Sequence, residues 1–459
     1  MRDFDVIGML ALLLGSAVVS YCYASLEPVI LFVGASIVGV LFLRIVLKDS
    51  RDERSMFFLM FSVGCLMTGV SEIYSVKLGD ELQLYSDPGF FHDLSSSGSK
   101  GLAIGDIARF TEASLYVVAW RTVYELVEVL GMQGESYVGK MVNAVFVSLS
   151  GVIAIRCVRY MYPGDIGRIR QTTRLFALCG MFWLYCGIHV RDAGVLFLII
   201  IIYWCWIRFL CNSSFENQVY LGCSFLTIIP FSYLRHEFAF VPVASGVAGI
   251  AALISGRSKQ GRNEFVVCFA GLVLAIGLGF SFYGLGDKMS SIVRGENQSY
   301  SEHSENTNRD GSLGVKYIVN APLPVRAIAG SIYILVSPIP VIKGLQLESC
   351  YHLFKTANGI YMYFLLGCVI FNISSIIKQR SLRSSAVMFL LYSTIGFVML
   401  VALTSMENRH SGCFLPGAIL LSQAVDMGSV RNRRSCSRYV SMVWAGMFGV
   451  HVVWGIIRF

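Results

Sequence analysis

Three short stretches of this chain share one composition. GIHVRDAG carries His189, Arg191 and Asp192, YLRHEF carries Arg235, His236 and Glu237, and SMENRHSG carries Glu407, Arg409 and His410. Each lies between strongly apolar stretches. An arginine fork donates paired hydrogen bonds to phosphate and keeps its charge at every relevant pH. A carboxylate or imidazole beside it can take a proton from an attacking hydroxyl. Read as one site, Arg191, Arg235, Arg409 and His189 would hold a diphosphate, and Asp192, His236, Glu407 and His410 would handle the proton. One such turn alone is explained as well by side chains snorkelling to a membrane surface, or by a local Arg191–Asp192 pair. Three turns of one makeup point to convergence on a single cavity, because ionisable groups at membrane depth are costly and mark function.

A further acid is Asp87 in YSDPGFFHD, stiffened by Pro88, whose ring restricts the residue before it. An ordinary Asp-Pro-Gly turn accounts for it equally well. His92 and Asp93 follow closely, but the spacing of the three matches no strong metal motif, so no metal or other cofactor is expected. The chain has no Gly-rich phosphate loop, no GxSxG and no HExxH, which argues against soluble-type ATP chemistry, serine hydrolysis and zinc proteolysis.

The elements that must position these residues follow from composition. The chain has 459 residues, 55% hydrophobic and 14% charged, and its mean hydropathy is +0.64. That is a polytopic membrane protein. Apolar stretches fall at about residues 6–24, 27–47, 56–75, 137–157, 172–188, 193–211, 217–234, 238–256, 264–284, 357–377, 385–404, 412–427 and 440–457, each near the length that crosses a bilayer as a helix. Lipid forces the backbone to satisfy its own hydrogen bonds, and VLFLIIIIYWCWI shows none of the alternation of a barrel strand. The expected fold is an all-α bundle of about 12–13 transmembrane helices in one membrane domain spanning 1–459. The first apolar stretch could pass for a signal peptide, but another span follows at once, and it is taken as a retained helix.

The formal charge of +8 sits in short basic loops, at 44–55, 156–174, 255–263, 378–384 and 431–438, all on one side of the bundle. That side is expected to be cytoplasmic, and nucleic acid is not expected as a partner. None of the seven histidines lies in these loops. Most of the thirteen cysteines lie inside spans, where they act as small apolar residues. Two long segments remain on the other side. The first, about 76–136, has a polar loop and then FTEASLYVVAWRTVYELVEVLG, which reads as an amphipathic helix lying on the outer leaflet. The second, about 285–356, has the polar half RGENQSYSEHSENTNRDGS, read as a lid-like loop, and an apolar half in which Pro322, Pro324, Pro338 and Pro340 bracket a short interfacial or re-entrant helix.

This layout, together with HVRDAGVLFLIIII, YLRHEF and ENRHSGCFLPGAILL, resembles the bacterial polysaccharide polymerases of the Wzy and EpsG-like type, and more loosely the GT-C glycosyltransferases. The resemblance covers most of the chain as architecture and about twenty residues as motif. It implies a GT-C-like bundle in the bacterial inner membrane, with a cavity open to the periplasm. It also implies transfer of a glycan from an undecaprenyl diphosphate carrier to a glycan hydroxyl. On that reading Arg191, Arg235 and Arg409 hold the diphosphate, and His236, His410 or an acid activates the acceptor. The partners implied are the lipid-linked oligosaccharide, a flippase and a chain-length regulator. GT-C enzymes carry an acid in the loop after the first helix; here that loop, about residues 25–27, is too short, and Asp87 follows the third helix instead. The alternatives are a single-sugar transferase, an O-antigen ligase-like enzyme, and a flippase. A flippase should show short loops on both faces and matched helix breaks in two halves, and the two long segments disfavour it.

Overall fold

The computed structural model describes residues 2–80, 87–96, 114–256, 262–283, 318, 321–337, 341, 349–404 and 408–458. Among these residues every regular element is helical. In chain order they are α1 (Arg2–Tyr23), α2 (Glu27–Ile45), α3 (Arg51–Glu72, extended by a π turn Ile73–Lys77), α4 (Asp87–Ser95), α5 (Ser114–Val129) and α6 (Ser136–Met161). Next come α7 (Ile166–Ala177), α8 (Gly180–Gly187), α9 (Asp192–Cys211), α10 (Phe215–Leu226), α11 (Ile228–Leu234), α12 (Phe240–Ser255) and α13 (Arg262–Tyr283). The chain closes with α14 (Leu323–Val336), α15 (Cys350–Lys378), α16 (Ser385–Thr404), α17 (Leu415–Leu421) and α18 (Val430–Arg458).

Seven helices among the described residues are long and apolar enough to cross a membrane: α1, α2, α3, α6, α9, α15 and α16. This is the pattern of a multi-pass membrane protein. Residues 238–256, 264–284 and 440–457 correspond to the unbroken α12, α13 and α18, and the three remaining apolar stretches differ in form. Residues 172–188 and 217–234 are broken helices, interrupted at Leu178–Cys179 and at Thr227. Residues 412–427 hold only the short α17 and then irregular backbone. Such backbone is tolerated at depth only when protein satisfies it. Asn372 of α15 does so here: its amide nitrogen donates to Ser422 O at 3.2 Å and its oxygen accepts from Val425 N–H at 2.8 Å.

Contacts sort the loops into two ends. At one end Arg156 of α6 pairs with the buried Glu53 of α3 at 2.9 Å, Arg208 packs over Tyr160, and Ser213 donates to Glu264. Gly256 abuts Ser385, and Ser374 bonds Tyr439 at 3.0 Å. The flanks of all five basic loops are thereby linked. The same end carries the helix caps that polar residues favour: Ser50 accepts from Glu53 N–H, Asp165 from Arg168 N–H and Ser214 from Asn217 N–H.

The described parts of the two long segments lie toward the opposite end. Helix α5 forms where the amphipathic pattern puts it, but its aromatic face, with Tyr116, Trp120 and Tyr124, is buried against protein rather than laid on lipid. Leu115, Leu126 and Val129 are left outward. Helix α14 starts at Pro322 and Pro324 and rests on α16, with Gly330 close against Ala402. The polar half of the second segment, and Pro338 and Pro340 of its apolar half, lie outside the described residues.

Candidate functional site

The three turns of arginine, histidine and acid meet at that opposite end. Asp192 opens α9, where the partial positive charge of a helix N-terminus favours an acid. Its Oδ1 accepts from Arg235 Nη1 at 2.9 Å, and His410 Nε2 lies 4.0 Å from the same oxygen. Phe238 supports both partners, with the Arg235 guanidinium 5.5 Å from its ring centre and the His410 ring edge-on at 5.5 Å. The cluster is closed: Asp192, Arg235 and His410 are 3%, 5% and 2% exposed. Arg191 and Arg409 are half-buried. Arg191 donates to Leu234 O at 3.3 Å and packs over Phe91.

Backbone clamps bring these turns together. The side-chain amide of Asn143 in α6 donates to the carbonyls of Tyr185, Ile188 and Val190, at 3.0, 3.1 and 3.0 Å, and so shapes the turn before Asp192. The Tyr185 hydroxyl donates to the Arg409 carbonyl and accepts from Gly412 N–H at 3.1 Å, which pins the 3₁₀ turn Asn408–Cys413. Arg326 of α14 donates to the Leu403 carbonyl at the end of α16.

His189 does not join the arginines. The turn sends it the other way, where its ring stacks on Trp120 at 4.0 Å and lies edge-on to His92 at 6.1 Å. It lines a separate cavity of about 290 Å³ together with His92, Asp93, Glu135, Ser136 and Tyr23. Lys140 also lines that cavity, in a buried ion pair with Glu72, Nζ to Oε1 at 2.8 Å. Glu72 also accepts from Tyr23 at 2.9 Å and from Ser136 at 2.8 Å, and Lys140 donates to Ser71 at 2.9 Å. The π turn after Glu72 brings Ser75 and Val76 to the cavity wall. Burial, then the neighbouring His92 and Lys140, holds the His189 imidazole well below its usual pKa. Burial also lowers His92, against a raising influence from Asp93.

No family model, curated protein or solved structure matches this chain. The functional reading therefore rests on the chemistry of the site itself.

A second cavity, of about 350 Å³, is an apolar groove between α14, α15, α16 and α17. Ile328 and Ile332, 66% and 57% exposed, stand along its open side. Ala327, next to Arg326, and Phe414, just past His410, belong to its lining. Of the other candidate residues, Asp87 begins α4 and His236 begins the 3₁₀ turn His236–Ala239, and both side chains lie outside what the structure describes. Glu407 lies outside the described residues altogether. Among the described residues no three His, Cys, Asp or Glu side chains stand close enough to share a metal.

Sequence reasoning passed over Glu72, Lys140, Asn143, Tyr185 and Arg326. Glu72 in VSEIYS and Lys140 and Asn143 in VGKMVNAV carried a usable signal, as isolated polar side chains inside apolar runs.

Proposed function

We propose that this protein is a membrane glycosyltransferase acting at the extracytoplasmic face of a bacterial cytoplasmic membrane. It transfers a glycan from a polyprenyl-diphosphate carrier to a hydroxyl of another glycan, as surface polysaccharide is polymerised. The observation that carries this reading is a pairing of chemistries: the chain that leaves the buried cluster of arginine, histidine and aspartate at His410 runs on to Phe414, which lines an apolar groove. An amphiphilic donor with an isoprenoid tail and a diphosphate head fits that pairing.

In the proposed step the acceptor oxygen attacks the anomeric carbon of the donor sugar. The bond from that carbon to the diphosphate oxygen breaks, and the polyprenyl diphosphate leaves with the electron pair. Arg191, Arg235 and Arg409 hold the charge that develops on it. The acceptor proton passes to His410, whose Nε2 stands 4.0 Å from the Asp192 carboxylate, within electrostatic reach of it. Asp87, His236 and Glu407 remain candidates for the same role on the strength of their sequence positions. No resident cofactor is invoked, and the partners are the lipid-linked oligosaccharide and the bilayer, with a flippase and a chain-length regulator acting beside it.

The test replaces Arg191, Arg235 and Arg409 singly by alanine in the native host and displays the surface polysaccharide as a length ladder. Collapse to one-repeat chains, with unchanged protein in the membrane, supports the reading. A full-length ladder in all three variants overturns it. Loss of lipid-linked repeats from the outer face would replace it with a flippase.

A further inference from the structure

The cavity lined by His189 is unused by the step above, yet it is built as a binding site. His189 is 1% exposed, and neither of its ring nitrogens is hydrogen-bonded. Its Nε2 is packed against Gly139 of α6 and neither nitrogen is accessible, so the ring serves the cavity as wall rather than as a hydrogen-bonding partner. Its ring plane is set by the stack on Trp120, and His92 is set by a 3.0 Å hydrogen bond from Nδ1 to the Tyr124 hydroxyl. These contacts fix the ring orientations in the wall, and pre-set side chains lower the entropic cost of binding.

The charge in the cavity selects the class of ligand. Lys140 is neutralised by Glu72 at 2.8 Å, and the acids left on the wall are Asp93 and Glu135. Both imidazoles are neutral near pH 7 because burial depresses them. With no uncompensated cation and two carboxylates on the wall, a diphosphate is repelled. What remains on the wall is the neutral His92 imidazole and the Ser75 hydroxyl, which both donate and accept, beside the acceptor-only carboxylates of Asp93 and Glu135, while Tyr23 and Ser136 already donate to Glu72. Vicinal hydroxyls, each a donor and an acceptor, are their complement. About 290 Å³ is at the small end of ligand cavities, the size of one sugar ring rather than a chain.

We infer that the cavity between α1, the π turn after α3, α4, the start of α6 and the 188–191 turn binds an uncharged pyranose ring, separately from the arginine cluster. The inference rests on the glycosyltransferase reading in one respect: the ring would belong to the acceptor glycan. The 188–191 turn then serves both sites, because Asn143 clamps it with His189 on one side and Asp192 on the other.

The test titrates detergent-solubilised full-length protein with uncharged methyl pyranosides (glucoside, galactoside, mannoside and N-acetylglucosaminide), read by saturation-transfer difference NMR. Inorganic pyrophosphate is the anionic comparison. At least one pyranoside is expected to bind, with affinity reduced tenfold or more in His189→Ala and in Ser75→Phe. The second variant fills the cavity from its half-buried rim without touching the buried ion pair, so it keeps the test valid if His189→Ala does not fold. Arg409→Ala should bind the pyranoside as the parent does, and pyrophosphate should not displace it. Failure of every pyranoside to bind up to tens of millimolar, equal binding in Ser75→Phe, or displacement by pyrophosphate would each overturn the inference. Intact polysaccharide ladders in the arginine variants alongside pyranoside binding in this cavity would overturn the transfer reaction and leave the sugar site standing.

Discussion

The Asp192–Arg235 pair separates a structural role from a functional one. Both side chains are buried, they meet at 2.9 Å, and His410 Nε2 stands 4.0 Å from the same carboxylate oxygen. Removing one partner leaves the other charge in a low-dielectric environment, which costs about 3–5 kcal/mol. Asp192→Leu and Arg235→Met should therefore each lower the melting temperature in detergent, by roughly 3–5 °C on general size scaling. The double variant removes both charges together and should return to within about 1 kcal/mol of the parent, since replacing a buried pair by apolar groups of similar size is close to neutral. Polysaccharide ladders from the same strains make the decision. If the cluster holds the diphosphate, the double variant is stable and still gives no ladder. A double variant that is stable and restores full-length chains would refute the reasoning, because the pair would then be a clamp between α9 and the turn after α11. Single variants that cost less than about 1 kcal/mol would refute it from the other side, by showing that water reaches the pair.

Two further outcomes follow from the second cavity. His189 and His92 are held neutral by burial, so the unfolded chain takes up protons as pH falls through about 6.5 while the folded chain does not. Stability should fall below that pH by up to about 1.4 kcal/mol per pH unit for each histidine, and His189→Gln should remove one histidine's share; an unchanged melting-temperature profile between about pH 8 and pH 5 would contradict the assignment. Gly139→Ala places a methyl group on the His189 ring, in a stretch of α6 fixed by Lys140 and Asn143. It should cost about 1–3 kcal/mol and weaken pyranoside binding, and a thermal shift indistinguishable from the parent would show that the ring moves freely.

The helical architecture is legible in the residue order, because a bilayer leaves an apolar backbone few options besides a helix. The ends of α1, α2, α6, α9, α15 and α16 fall within several residues of where hydropathy puts them. The matched composition of the turns around Arg191, Arg235 and Arg409 is legible too, and it leads to the cluster at Asp192. Hydropathy does not distinguish a continuous span from the broken α7–α8 and α10–α11, because Leu178, Cys179 and Thr227 are uncharged; the usable break signals are Gly180 and Pro230, which stand in the first turn of α8 and α11. Nor does it show that His189 and Asp192, neighbours in one turn, face different sites. That divergence is set by Asn143, which holds three carbonyls of α8 and the turn from another helix. The pairing of Glu72 with Lys140 is likewise a contact between helices distant in sequence. Each residue's cost in an apolar span can be read along the chain, while the partner that offsets it is chosen only when the helices pack.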